Sequence, residues 1–180
     1  MFPCHQAMWL ISPGRVLRKN LRDFSLGHAY LLEALESPFM VGGKVGLGDL
    51  AVAVLLCSKS FQDARKYLML PPPLMMKQAN RWGWWCRLWG LDFKDEEEKF
   101  KDYMRAYTEM PDPFIDESES VAGSAVPMSI RVAWMLMERM SEEDAWNCPM
   151  SRGLAYFTSN AEHNGQQFFT EDQERKLKVI

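Results

Sequence analysis

The sequence predicts an all-α fold, a single-domain bundle of about six or seven helices spanning residues 1–180. Three observations carry that expectation. Apolar residues recur at three- and four-residue steps in several segments. No run shows convincing strand-like alternation, although Phe39 to Val45 is long enough for one short strand. Ser or Asp stands ahead of helical runs, and prolines and glycines divide them. With 47% apolar and 25% charged residues the composition is that of an ordinary globular protein. A chain of this length buries about two thirds of the surface it exposes when unfolded.

In chain order, four cations, Arg15, Arg18, Lys19 and Arg22, precede a first helix capped by Ser25 and stopped near Pro38, with Leu31, Leu32 and Leu35 on its apolar face. Gly42, Gly43, Gly46 and Gly48 form a joint, after which Asp49 is placed to cap a helix running from Leu50 to about Ser58. Ser60 with Asp63 three residues on resembles a capping box for a further helical piece that Pro71 to Pro73 end. Helix resumes near Leu74, where Met75, Met76, Ala79, Trp82, Trp85, Cys86 and Trp89 define a wide apolar stripe that leaves Trp84 outside it. Lys94 to Met110 sets Phe100, Tyr103, Met104 and Tyr107 on one face behind an acidic first turn, which suits the positive end of a helix dipole. Residues 111–127, with Asp112, Asp116, Glu117 and Glu119 among prolines and small residues, predict a mobile acidic loop. Ile130, Ala133, Trp134, Met137 and Met140 then step along one helical face, Ser141 caps another turn, and Pro149 interrupts it. Leu154, Phe157 and Ala161 line a last long helix closing at Gly165, and residues 166–180 read as a polar C-terminal segment.

Chemistry leaves little local signature. His5, His28 and His163 lie whole helices apart, with no HxxxH, HExxH or Cys/His cluster, so no metal or cofactor site is predicted. Cys4, Cys57, Cys86 and Cys148 form no CxxC pair and read as free, buried thiols. Cys148 with His163 is a conceivable nucleophile pair without a supporting motif, and His28 reads as a first-turn residue touching solvent or nearby backbone. The glycines of residues 41–48 lack the Gly-Lys-Ser/Thr of a phosphate loop, and the acids Asp92 to Glu98 are interleaved with Lys94, Lys99 and Lys101 at helix-pair spacing, as on a solvated helix face. No catalytic residue is therefore assigned.

Charge and hydropathy exclude further classes. A net charge of -3 with no globally basic balance disfavours nucleic acid, leaving only the basic segment Arg15 to Arg22 to track phosphates. The longest uninterrupted apolar run, Leu50 to Cys57, falls far short of the roughly 18 residues of a membrane span. The N-terminus lacks the charge and core of a signal peptide, so the expected location is cytoplasmic. What stands out is 13 Met and 7 Trp. Four indoles within residues 82–89 cannot all face one side of a helix, so Met75, Met76, Trp82, Trp84, Trp85 and Trp89 are the expected partner-binding residues.

Two stretches, Phe24 to Phe39 (FSLGHAYLLEALESPF) and Ala145 to Tyr156 (AWNCPMSRGLAY) continuing to Glu162 and Gly165, together cover about a fifth of the chain. They resemble proteins of tailed-phage and prophage tail operons, in particular the tail assembly chaperones. That resemblance implies a non-enzymatic helical protein that keeps the long tape-measure protein soluble and recruits tail-tube subunits. It implies no catalytic residue. The expectation is thus a protein-binding helical protein, with an enzyme site assembled by the fold from distant His, Cys and acidic residues, or a small nucleic-acid-binding module, as the alternatives.

Overall fold

The computed structural model describes residues 14–108 and 126–163, and among these the fold is all-α with one minimal hairpin. The described residues open with β1 (Arg15–Val16) and β2 (Lys19–Asn20), paired antiparallel with Arg15 opposite Asn20 and Val16 opposite Lys19. Nine helices follow: α1 (Leu26–Ala34), α2 (Pro38–Val41), α3 (Leu47–Cys57), α4 (Phe61–Leu68), α5 (Pro72–Leu88), α6 (Phe93–Thr108), α7 (Met128–Met137), α8 (Glu142–Asn147) and α9 (Met150–His163). That exceeds the six or seven expected because short turns stand as helices of their own, among them α2, begun by Pro38, and α8, separated from α9 by Pro149. The acidic loop 111–127, apart from Val126 and Pro127, and the polar segment 166–180 lie outside the described residues.

Local chemistry accounts for most boundaries. Ser25 caps α1: its hydroxyl accepts from the His28 backbone N–H at 3.3 Å, and His28 Nδ1 accepts from the Ser25 N–H at 3.2 Å. Ser60 and Ser141 cap α4 and α8 in the same way, accepting from the N–H groups of Asp63 and Asp144. Two expectations are corrected. The strand allowed over residues 39–45 is replaced by the turn of α2, because Pro38 takes the first helical position, where its missing N–H costs nothing. α3 starts three residues before Leu50, and Asp49 acts from inside the first turn, its carboxylate accepting from the Gly46 N–H at 2.9 Å.

α3 is buried almost all round, from Leu50 to Val54 and again at Leu56 and Cys57, so it forms the centre on which α5, α4 and α6 pack. Its approach to α5 is close at Gly83, where a side-chain carbon would meet Leu47 Cγ at 3.1 Å. The two segments that carry the tail-chaperone resemblance, distant in sequence, meet in space. Leu26 N–H donates to Cys148 O at 3.0 Å and Met150 N–H to Phe24 O at 2.7 Å, so Ser25 and Pro149 form an antiparallel bridge between the starts of α1 and α9. α7 closes this side of the core with Ser129, Val132, Ala133 and Leu136, a face that turns Trp134 outward at 60% exposure rather than inward with Ala133 as expected.

Candidate functional site

The hairpin tip is the least ordinary local structure. Leu17 and Arg18 adopt φ of 46° and 61°, the left-handed region that a tight two-residue hairpin demands and that Gly or Asn normally fill. A tertiary contact holds them there. Leu17 is buried between α5 and α6; its N–H donates to the Glu96 carboxylate and its carbonyl accepts from the Cys86 thiol at 3.8 Å. Glu96, itself buried, also accepts from Lys99 Nζ at 2.6 Å, so the carboxylate is not left uncompensated. The tip therefore places Arg18 and Lys19 over the last two turns of α5: the Arg18 guanidinium stands 4.7 Å from the Trp89 ring centre and Lys19 Nζ 5.2 Å from that of Trp82.

α5 divides cleanly. Met75, Ala79, Gly83 and Cys86 face inward, with Trp82 half-buried at the margin. At 100° per residue the opposite face is centred on Lys77, Arg81, Trp84 and Leu88. Trp84 is 55%, Trp85 42%, Leu88 57% and Trp89 45% exposed. The indoles lean on one another, Trp84 edge-on to Trp85 with ring centres 5.4 Å apart and Trp85 tilted against Trp89 at 6.1 Å. They form one continuous apolar ridge. Of the expected partner-binding residues, Trp84, Trp85 and Trp89 lie on this ridge and Trp82 at its edge. Met75 is core, its carbonyl accepting from Tyr67 O–H at 3.1 Å, and the Met76 side chain lies outside the described residues. The periodic stripe read from the sequence had put Trp85 and Trp89 inward and Trp84 outside. In the fold all three share the outer side, because α3 meets α5 along Met75, Ala79 and Gly83, and the chain leaves the helix at Trp89.

Electrostatics sets this face apart. α5 contains no acidic residue and three cations, Lys77, Arg81 and Arg87. None of the ion pairs among the described residues involves them, whereas four of the five acids of α6 are matched on their own helix, Glu96 with Lys99, Glu97 and Glu98 with Lys101, and Asp102 with Arg105. Arg18 and Lys19 of the basic N-terminal segment and the tryptophan-rich helix, separate features in the sequence, thus make one surface.

Among the described residues, the candidate pair Cys148 and His163 is not brought together, and the buried His and Cys groups are chemically quiet. His28 is buried, and of the two contacts expected of this first-turn residue, solvent or nearby backbone, it makes the backbone ones. Nδ1 accepts from Ser25 N–H, so Nε2 carries the proton and donates to Lys59 O at 2.9 Å; burial holds the imidazole below its ordinary pKa. Cys57, Cys86 and Cys148 are buried free thiols whose pKa burial pushes up, which suppresses the thiolate a nucleophile requires. Cys148 precedes α9 and His163 ends it, so the two stand about 20 Å apart at 1.5 Å per residue. His163 does line an open cavity of about 620 Å3 with Met135, Met140, Arg139 and Tyr156, but no cysteine borders it. Among the described residues no cluster of three His, Cys, Asp or Glu side chains could hold a metal ion, and no helix is long and apolar enough to cross a membrane. The glycine joint turns the chain between α2 and α3, Gly42 and Gly43 taking φ of 81° and 121°.

No family model, curated protein or solved structure matches this chain.

Proposed function

We propose that this protein is a non-enzymatic binding protein that receives a helical segment of a client protein on the outer face of α5. The observation that carries the reading is the ridge of Trp84, Trp85, Leu88 and Trp89, four large apolar side chains about half exposed on one surface. Exposed indoles that contact one another are the composition of binding hot spots, and water contact at such a patch is relieved when a partner covers it. A convex ridge on a helix fits the apolar groove or face of another helix by side-chain interdigitation. The likeness of the α1 and α8–α9 segments to tail assembly chaperones supports a client that is a long helical protein such as a tape measure, held soluble in the cytoplasm until assembly. Buried, proton-satisfied His28 and inert thiols weigh against the enzyme alternative.

Recovery of bound proteins from the native host tests the reading, comparing the tagged full chain with its Trp84→Glu variant. The expected result is a long, helix-rich protein recovered in near-stoichiometric amount with the parent and lost with the variant, whose thermal melt is unchanged because Trp84 is exposed. An unchanged set of partners in both preparations would overturn it.

A further inference from the structure

We infer that the segment α5 receives is acidic, an amphipathic helix that carries carboxylates on either side of an apolar block; this rests on the reading of α5 as a binding face. Along the outward line of α5 the order is Lys77, Arg81, Trp84, Leu88, at spacings of four, three and four residues. Two cations one turn apart are therefore followed by two apolar side chains one turn apart. At the far end of the ridge Arg18, held in place by the strained hairpin tip, adds positive charge beside Trp89, while Arg87 projects on the flank next to Trp84. Five cations, counting Lys19, surround the ridge in a chain whose net charge is -3, and none of them is neutralised by an ion pair among the described residues. Left in water these charges repel one another, and a partner bearing carboxylates at matching spacing removes that repulsion while its apolar block covers the indoles. From Leu74 to Leu88 the face is about 21 Å long, enough for roughly four turns of a partner helix.

The geometry favours a peptide over single-stranded nucleic acid. Bases stack on open aromatic faces. Here Lys19 covers a face of Trp82, Arg18 covers a face of Trp89, and Trp84 meets Trp85 edge to face at 73°. One face each of Trp82 and Trp89 is taken by a cation and the rings meet at steep or tilted angles, so they offer no parallel series of open faces for successive bases.

Synthetic 20-residue helical peptides with one leucine pattern and Glu, Gln or Lys at the flanking positions test the inference, binding to the full chain being read by anisotropy at low and moderate salt. The Glu peptide is expected to bind at least about tenfold more tightly than the Lys peptide and to weaken with salt. The double variant Lys77→Glu, Arg81→Glu is expected to reverse that preference with an unchanged melt, since both side chains are exposed. Equal binding of Glu and Lys peptides, abolished in both cases by Trp84→Ala, would overturn the acidic partner while leaving the binding face intact. Binding of none of the peptides would remove the binding face as well. Tighter retention of an oligothymidine 20-mer, or of vesicles containing one fifth phosphatidylserine, than of the Glu peptide would likewise overturn the inference in favour of phosphate.

Discussion

Gly27→Ala should destabilise the protein even though alanine is the better helix former. Gly27 lies in the first turn of α1 directly against the Phe61 side chain of α4. A methyl group there would stand 2.5 Å from Phe61 Cδ2, 2.8 Å from Cγ and 2.9 Å from Cβ. Relaxed carbon contacts are about 3.5–4.0 Å, so Phe61 must retreat by roughly 1 Å. Rotation alone does not free it, because its Cβ is among the clashing atoms. Any shift of the ring is passed on to buried Trp146, on which it stacks at 4.9 Å, and from there to Tyr30 at 5.3 Å. Overpacking of this kind costs about 1–3 kcal/mol, and a clash that includes Cβ, which only a backbone shift relieves, puts it at the upper end. Helix propensity returns at most about 1 kcal/mol. The net is a loss of about 2 kcal/mol, which in a chain of this size lowers Tm by about 4–8 °C. Urea denaturation followed by circular dichroism measures the first quantity and calorimetry the second. In a double-mutant cycle, Phe61→Leu should recover part of the loss, with a coupling of about 1 kcal/mol. An alanine variant as stable as the parent, or an absence of coupling to position 61, would refute the close α1–α4 contact on which this reasoning depends.

Acid should weaken the fold through His28. Its folded-state pKa lies below 6.5, chiefly through burial, so above pH 6.5 both states are neutral and stability is flat; as pH falls below 6.5 the unfolded chain takes up a proton that folded His28 refuses, and stability declines until its lowered pKa is reached. Urea midpoints between pH 7.5 and 5.5 should therefore fall by more for the parent than for His28→Gln, with a slope of at most about 1.4 kcal/mol per pH unit from this residue. Glu96→Ala should cost about 1–3 kcal/mol by orphaning the buried Leu17 N–H, and should speed amide exchange at Leu17; Glu96→Gln, which keeps an acceptor, should cost less. In mass-spectrometric alkylation at pH 8, Cys57 should stay unmodified in the native protein and react in concentrated urea, because it is fully buried and its thiol is held protonated.

What was legible in the sequence was chemistry confined to one turn of chain. Ser25, Ser60 and Ser141 announce helix starts because a cap is a bond between a side chain and backbone three residues away. The acidic first turn of α6 and its buried face of Phe100, Tyr103, Met104 and Tyr107 were readable for the same reason. Features decided by distant contacts were not. Nothing near Leu17 and Arg18 calls for left-handed backbone; the Glu96 carboxylate, 79 residues away, imposes it. Trp134 sits within an apolar pattern that two neighbouring helical faces fit equally, and the choice falls to the one carrying Val132 and Leu136. The α5 residues were identified from indole density alone, and their basic surround was missed because Arg18 and Lys19 arrive from the opposite end of the sequence.

That meeting of hairpin and helix is hard to explain as a device for stability. Non-glycine residues in left-handed backbone cost about 1–3 kcal/mol each, and the tip has two in succession. Beside them stand half-exposed indoles, which favour aggregation, and cations that form no ion pair among the described residues. Each could be relieved by an ordinary change, glycine or asparagine in place of exposed Arg18 at the tip, polar residues for the indoles, glutamate for one arginine. None of those changes would disturb the α1, α3 and α7 core, whose packing runs through Leu32, Val54 and Val132. Three locally unfavourable features gather on one surface over an otherwise consistent fold; the acidic apolar helix proposed to lie along α5 would cover the indoles and neutralise the cations, and the strained tip is what holds Arg18 beside Trp89.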